Sequence, residues 1–188
     1  MRTSHISKIY IFLFLVFVIG FCCGINLLKY IDNEHIINSV NYMMSNINTI
    51  NLNFIGIHLF TISILFLCSI FIISLPVNTI YIFYNGISLG FITNIFFVLN
   101  GIKGILFSII YIFFTKTVFI IFLFILLKTL IKISIRIFKY LIFKNKDEVY
   151  LIFRLYKKVL LCIGIILTND ITIYFLGNSI LKIFSFLM

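Results

Sequence analysis

The sequence predicts an all-α, polytopic membrane protein of about five transmembrane helices, with the amino terminus inside and the carboxyl terminus outside. Three observations lead there: the composition, a set of apolar runs each long enough to cross a bilayer, and a lopsided placement of Lys and Arg. Of the 188 residues 63% are hydrophobic and 11% charged, and the mean hydropathy is +1.24. A soluble core cannot take up that much apolar surface. Folded in water the chain would display large greasy patches, whereas in a bilayer the same side chains face lipid. Ala, Gln and Trp are absent while Ile, Phe, Asn, Lys and Tyr abound, a bias that points to an AT-rich genome such as that of a low-GC bacterium.

A helix needs about 20 apolar residues to cross the hydrocarbon layer. Runs of that length fall at about 9–28, 54–75, 77–99, 105–127 and 159–177, so residues 1–188 read as a single integral membrane domain. The first run follows Arg2 and Lys8, as the apolar part of a signal peptide would. It is long enough to span, and no small-x-small cleavage site closes it, so it reads as a retained signal anchor. The second and third runs are nearly continuous. As one straight helix, Phe54 to Leu99 would be roughly 70 Å long, about twice the hydrocarbon thickness. Pro76, within Ser74-Leu75-Pro76-Val77-Asn78, supplies the break, because proline suits the first turn of a new helix and cannot donate inside an old one. A tight helical hairpin is expected there.

Orientation follows from the basic residues, which are retained on the cytoplasmic side of the spans they flank. With the amino terminus inside, the inner segments hold Arg2, Lys8, Lys128, Lys132, Arg136, Lys139, Lys144, Lys146, Arg154, Lys157 and Lys158, against Lys29, Lys103 and Lys182 outside. Two segments remain outside the spans. The outer loop 29–53 is polar and Asn-rich, and its Asp32, Glu34 and His35 read as solvated surface rather than as metal ligands. The basic cytoplasmic segment 128–158 opens with Lys128, Lys132, Arg136 and Lys139 at helical intervals, which stacks the charges on one face with Ile131, Ile135, Phe138 and Ile142 opposite. Two arrangements are open: an amphipathic helix lying on the anionic inner leaflet, or a prolongation of the fourth span with snorkelling lysines.

The cysteines, at 22, 23, 68 and 162, all fall in apolar runs without metal-ligand spacing and read as small core residues. No cofactor or metal is expected. Polar groups inside spans carry more information, since each must find a partner away from water. The third span holds Asn78, Tyr81, Tyr84, Asn85, Ser88, Thr93 and Asn94 together with Gly86 and Gly90. Gly86-Ile87-Ser88-Leu89-Gly90 is a small-xxx-small motif, and Gly20-Phe21-Cys22-Cys23-Gly24 in the first span is another; such motifs let helices approach closely, so helix packing is expected of both. Lys116 in the fourth span and Asp170 in the fifth lie about 16 Å and 11 Å from the outer ends at 1.5 Å per residue. That places an intramembrane Lys116–Asp170 ion pair within reach, with Asn169, Thr115 and Thr117 as secondary partners. A packing role is favoured over an ion or proton path.

One stretch resembles a known family. Ser74-Leu75-Pro76, then Tyr84-Asn85-Gly86-Ile87-Ser88-Leu89-Gly90-Phe91, then Asn100-Gly101-Ile102-Lys103-Gly104-Ile105-Leu106 is similar to stage II sporulation protein M of endospore-forming Firmicutes. The likeness covers most of the chain in layout and residues 74–106 in detail. Where the family tends to have Pro-Gln-Asn, this sequence has Phe114-Thr115-Lys116. The resemblance implies a non-enzymatic scaffold in the mother-cell membrane that organises two peptidoglycan-degrading partners, sporulation proteins D and P, during forespore engulfment. The residues themselves agree: they offer no GxSG, no HExxH and no paired aspartates in facing spans. No nucleic-acid partner is expected, and the alternative is a permease subunit or small transporter built on Lys116 and Asp170.

Overall fold

The computed structural model describes residues 3–27, 53–71, 73–144 and 146–185, and within them every regular element is an α-helix. Helix α1 is Thr3–Leu27 and α2 is Asn53–Ile70. A long helical run, Ser74–Phe143, is interrupted at Gly101 and divides into α3 (Ser74–Val98) and α4 (Gly101–Phe143). Helix α5 is Lys146–Ser185. Three segments are long and apolar enough to cross a membrane: Lys8–Leu27 of α1, α3 and α4. The apolar part of α2, Gly56–Ile70, is shorter. The outer loop 29–53, with Lys29, Asp32, Glu34 and His35, lies almost wholly outside the described residues, as does the side chain of Lys182.

The first reversal comes earlier than Pro76. Helix α2 ends at Ile70, the Phe71 amide donates to the Cys68 carbonyl (3.2 Å), and the Ser74 amide donates to Phe71 (3.3 Å). Pro76 therefore sits in the first turn of α3, where a missing N–H leaves no bond unmade. The second reversal uses a single residue. Gly101 has φ 58° and ψ −135°, a combination closed to side chains with a Cβ, and α4 folds straight back along α3. The rings of Phe96 and Phe107 lie 4.8 Å apart, and those of Phe96 and Tyr111 6.2 Å apart. Along an unbroken helix, positions 96 and 111 would be about 22 Å apart. Gly104 makes the fold-back possible, since a Cβ there would overlap the Phe96 carbonyl. Helix α4 continues unbroken through Phe114, Thr115 and Lys116.

The two small-xxx-small motifs meet each other. A Cβ on Gly20 would collide with the Phe83 carbonyl, and one on Gly24 with that of Ile87; on the facing helix, Gly86 abuts the Phe17 carbonyl and Gly90 that of Phe21. Each glycine thus admits a backbone where other residues would hold it off, and α1 and α3 run parallel in backbone contact. Asn94 fastens the upper end by donating from Nδ2 to the Ile25 carbonyl. Against this pair pack α4, α2 and α5, with Leu13, Ile62, Ile82, Leu123, Leu127 and Ile166 in a common apolar core.

Helix α4 is 43 residues, about 65 Å at 1.5 Å per residue and roughly twice the hydrocarbon thickness. It therefore prolongs the fourth span rather than laying a separate helix on the surface. It ends at Phe143 with Lys144 in the left-handed region (φ 49°, ψ 28°), whose amide donates to the Tyr140 carbonyl at 2.8 Å. The first part of the basic stripe faces inward, unlike that of a surface helix: Lys128 is 9% exposed and turns toward α5 and the start of α1, whereas Lys139 is exposed. On the apolar side Ile131 is buried while Ile135, Phe138 and Ile142 are 44%, 45% and 55% exposed.

The glycine contact predicts a sharp positional contrast. Gly20, Gly24, Gly86 or Gly90 changed to Val should each lower the thermal stability of the detergent-solubilised protein, by about 1–3 kcal/mol for an overpacked contact. Gly56→Ala and Gly164→Ala, where an added Cβ meets nothing within 4 Å, should leave it level or raise it by up to about 1 kcal/mol through helix propensity. Size-exclusion monitoring after stepped heating reads both; equal losses at all sites would contradict the packing.

Candidate functional site

The polar groups of the spans converge on one point between α2, α4 and α5. Asp170 of α5 is only 3% exposed, and its Oδ2 lies 2.9 Å from Nδ1 of His58 on α2. The His58 ring stacks on Phe119 of α4, with centroids 4.8 Å apart and planes 20° from parallel. One turn away on the same helix, the Lys116 ammonium stands 5.8 Å from the Phe119 ring centroid and within electrostatic reach of Asp170. Tyr81 of α3 completes the surround beside Thr61 and Asn85, also within reach of the carboxylate. Lys116 is 12 residues from Lys128 and 15 from Gly101, or about 18 Å and 22 Å along α4, so the cluster sits near the middle of the bundle.

The sequence pairs Asp170 with Lys116; the contact at hydrogen-bonding distance comes instead from His58. Lys116 and Asp170 do fall on the same side of the bundle, with both the lysine and the imidazole against the Phe119 ring. The signal for His58 was in the sequence, since an ionisable ring inside an apolar run needs a partner. What the run could not show is which helix α2 would face. The expected secondary partners are occupied elsewhere: Thr115 donates to the Tyr111 carbonyl (2.6 Å) and Thr117 to Ile112 (3.4 Å), both within α4. Asn169 differs: its Nδ2 is buried with no hydrogen-bond partner among the described residues.

Other span polar groups are spent on the helices themselves. Asn85 donates to the Tyr81 carbonyl (2.9 Å) and Asn78 to the Ser74 hydroxyl (3.1 Å), while Ser134 reaches from α4 to the Phe71 carbonyl (2.9 Å) at the first reversal. Cys22 and Cys23 are exposed, Cys68 half-buried and Cys162 buried, all as free thiols. Among the described residues no three His, Cys, Asp or Glu side chains come together as metal ligands would.

Chemically, the cluster is a carboxylate, an imidazole and an ammonium held in a low-dielectric setting. A carboxylate there requires an adjacent hydrogen-bonding or cationic partner, and His58 Nδ1 stands at 2.9 Å from it. The arrangement can hold three helices in register, and it can also pass a proton between imidazole and carboxylate.

No family model matches this chain, and no curated protein or solved structure matches it. Fold and site together define an all-helical protein with three helices suited to crossing a membrane and a buried ionic cluster among its helices.

A mutant pair reads the energetics. His58→Leu leaves a buried carboxylate without its nearest partner and should cost about 3–5 kcal/mol, whereas His58→Leu with Asp170→Leu should recover most of that loss. Asp170→Asn should be milder than His58→Leu, because it removes the buried carboxylate instead of stranding it. Thermal unfolding in detergent checks the order; a double variant as unstable as His58→Leu alone would contradict it.

Proposed function

We propose that this chain is a non-enzymatic membrane scaffold of a sporulating bacterium, akin to stage II sporulation protein M, which organises peptidoglycan-degrading partners in the mother-cell membrane during engulfment. The observation that carries the reading is the use to which the family-like residues are put. Gly86 and Gly90 form the α3 side of the backbone contact with α1, and Gly101 and Gly104 make the reversal into α4. The residues on which the resemblance rests are therefore those that hold the bundle in one shape, as a docking platform requires. In this reading the end bearing Lys8, Lys128, Lys132, Arg136, Lys139, Arg154 and Lys158 faces the cytoplasm. The five helices alternate in direction, the carboxyl terminus lies outside, and the partners are the sporulation D- and P-type wall hydrolases.

A second reading, a small transporter or permease subunit, draws on the buried His58, Asp170 and Lys116, since intramembrane ionisable groups often mark ion or proton paths. The two part company on the double variant His58→Leu with Asp170→Leu. A scaffold in which the cluster only fixes packing should still recruit its partners, and a transporter should fold and lose transport.

Purification of the tagged chain from sporulating cells in mild detergent tests the proposal. Wall hydrolases should co-purify with the wild type and with the double variant, and should be lost with Gly90→Val. Recovery of an ATPase, or of no hydrolase at all, would overturn it.

A further inference from the structure

At the basic end of the bundle, cations gather on facing sides of two helices. Helix α4 contributes Lys128, Lys132 and Arg136; α5 contributes Arg154 and Lys158. Arg136, Arg154 and Lys158 line one cleft with Leu151 and Leu155. Lys158 acts electrostatically on both Lys128 and Lys132, so the like charges are close enough to repel. One described carboxylate answers them: Glu148, 2.7 Å from Arg136 Nη1. Among the described residues five cations face one carboxylate, a local excess of positive charge that an anion in the cleft would relieve.

The surroundings indicate what kind of anion. The Lys128 ammonium stands 3.4 Å from the ring centroid of Tyr10 on α1, and Lys158 is within electrostatic reach of the same tyrosine. From Tyr10 an apolar groove runs up α1 and α4, lined by Tyr10, Ile11, Phe14, Leu15 and Phe124. The same stretches of α4 and α5 carry exposed apolar side chains, Phe138, Leu141 and Phe153. A soluble anion has no use for that greasy flank; a lipid does. Guanidinium groups suit phosphate oxygens in particular, because their fork of N–H donors matches two oxygens at once.

We propose that the cleft between α4 and α5 at Arg136, Arg154 and Lys158 binds the phosphate of an anionic phospholipid, with an acyl chain along the Tyr10–Phe124 groove. The site holds one lipid in place at the bundle's basic end, in contrast to a diffuse attraction spread over the whole charged surface. It is independent of the scaffold reading.

Native mass spectrometry of the full chain in mild detergent, with added dioleoyl phosphatidylglycerol or phosphatidylcholine, tests this. The wild type should retain phosphatidylglycerol in preference to phosphatidylcholine. Arg154→Gln with Lys158→Gln leaves the Arg136–Glu148 pair intact and should weaken phosphatidylglycerol binding about fivefold per cation removed, with thermal stability unchanged. Lys103→Gln with Lys139→Gln should bind as the wild type does. Equal retention of the two lipids, or equal binding by the cleft variant and the wild type, would overturn the proposal. Displacement of phosphatidylglycerol by millimolar inorganic phosphate would overturn the lipid as ligand and assign the cleft to a soluble anion.

Discussion

A peptide group in oil must be hydrogen-bonded within its own helix, and everything else in this structure follows from where the chain is allowed to break that rule. Between α2 and α4 it does so twice. Near Phe71 the carbonyl at the reversal accepts from the Ser74 amide and from the Ser134 hydroxyl of α4, so a neighbouring helix helps to seal the turn. At Gly101 the break is confined to one residue, and both flanking helices run up to it. Reversals this short bring α3 and α4 side by side, and α3 then offers its glycines to α1.

The glycine contact sets the spacing for the rest. In lipid no hydrophobic force draws helices together, so contact area and backbone approach decide which pairs form. With α1 and α3 at backbone distance, Tyr10 stands at the level of Lys128 and Phe17 meets Phe124 with ring centroids 5.7 Å apart. Helix α4 is thereby held antiparallel to α1. Helices α2 and α5 close the bundle on the other side, where Phe66 meets Tyr156 at 5.3 Å and His58 meets Asp170. The ionic cluster is therefore a consequence of the packing as well as a fastener for it.

Much of the fold was legible because oil leaves helices so few choices. Run length gave the existence of the helices, though among the described residues three segments are long and apolar enough to span and α4 and α5 extend through the basic segment 128–158. The small-xxx-small spacing at Gly20 and Gly86 singled out the two helices that meet. Reversals were placed to within a few residues; the error at Pro76 arose because proline marks the start of the new helix and not the end of the old one. The site was only half legible. Asp170 and Lys116 stood out as charges in apolar runs, yet the nearest partner, His58, depended on the rotation of α2, which a run of Ile, Leu and Phe without a polar face does not encode. The basic stripe misled for a related reason. In water its charges would all point outward, but here Lys128 turns inward onto Tyr10, Ile131 is buried, and only Lys139 at the far end stays exposed.

The reversal at Gly101 is the step that returns α4 along α3 and so brings Lys116 and Phe119 to His58, and it can be measured directly. With Cys22, Cys23, Cys68 and Cys162 replaced by Ser, cysteines at positions 96 and 107, where the native rings lie 4.8 Å apart, should be bridged within one chain by a short thiol cross-linker in native membranes. Along an unbroken helix the two positions would be about 16 Å apart. An absence of intramolecular cross-link, with both thiols shown to be reactive, would contradict the fold described here.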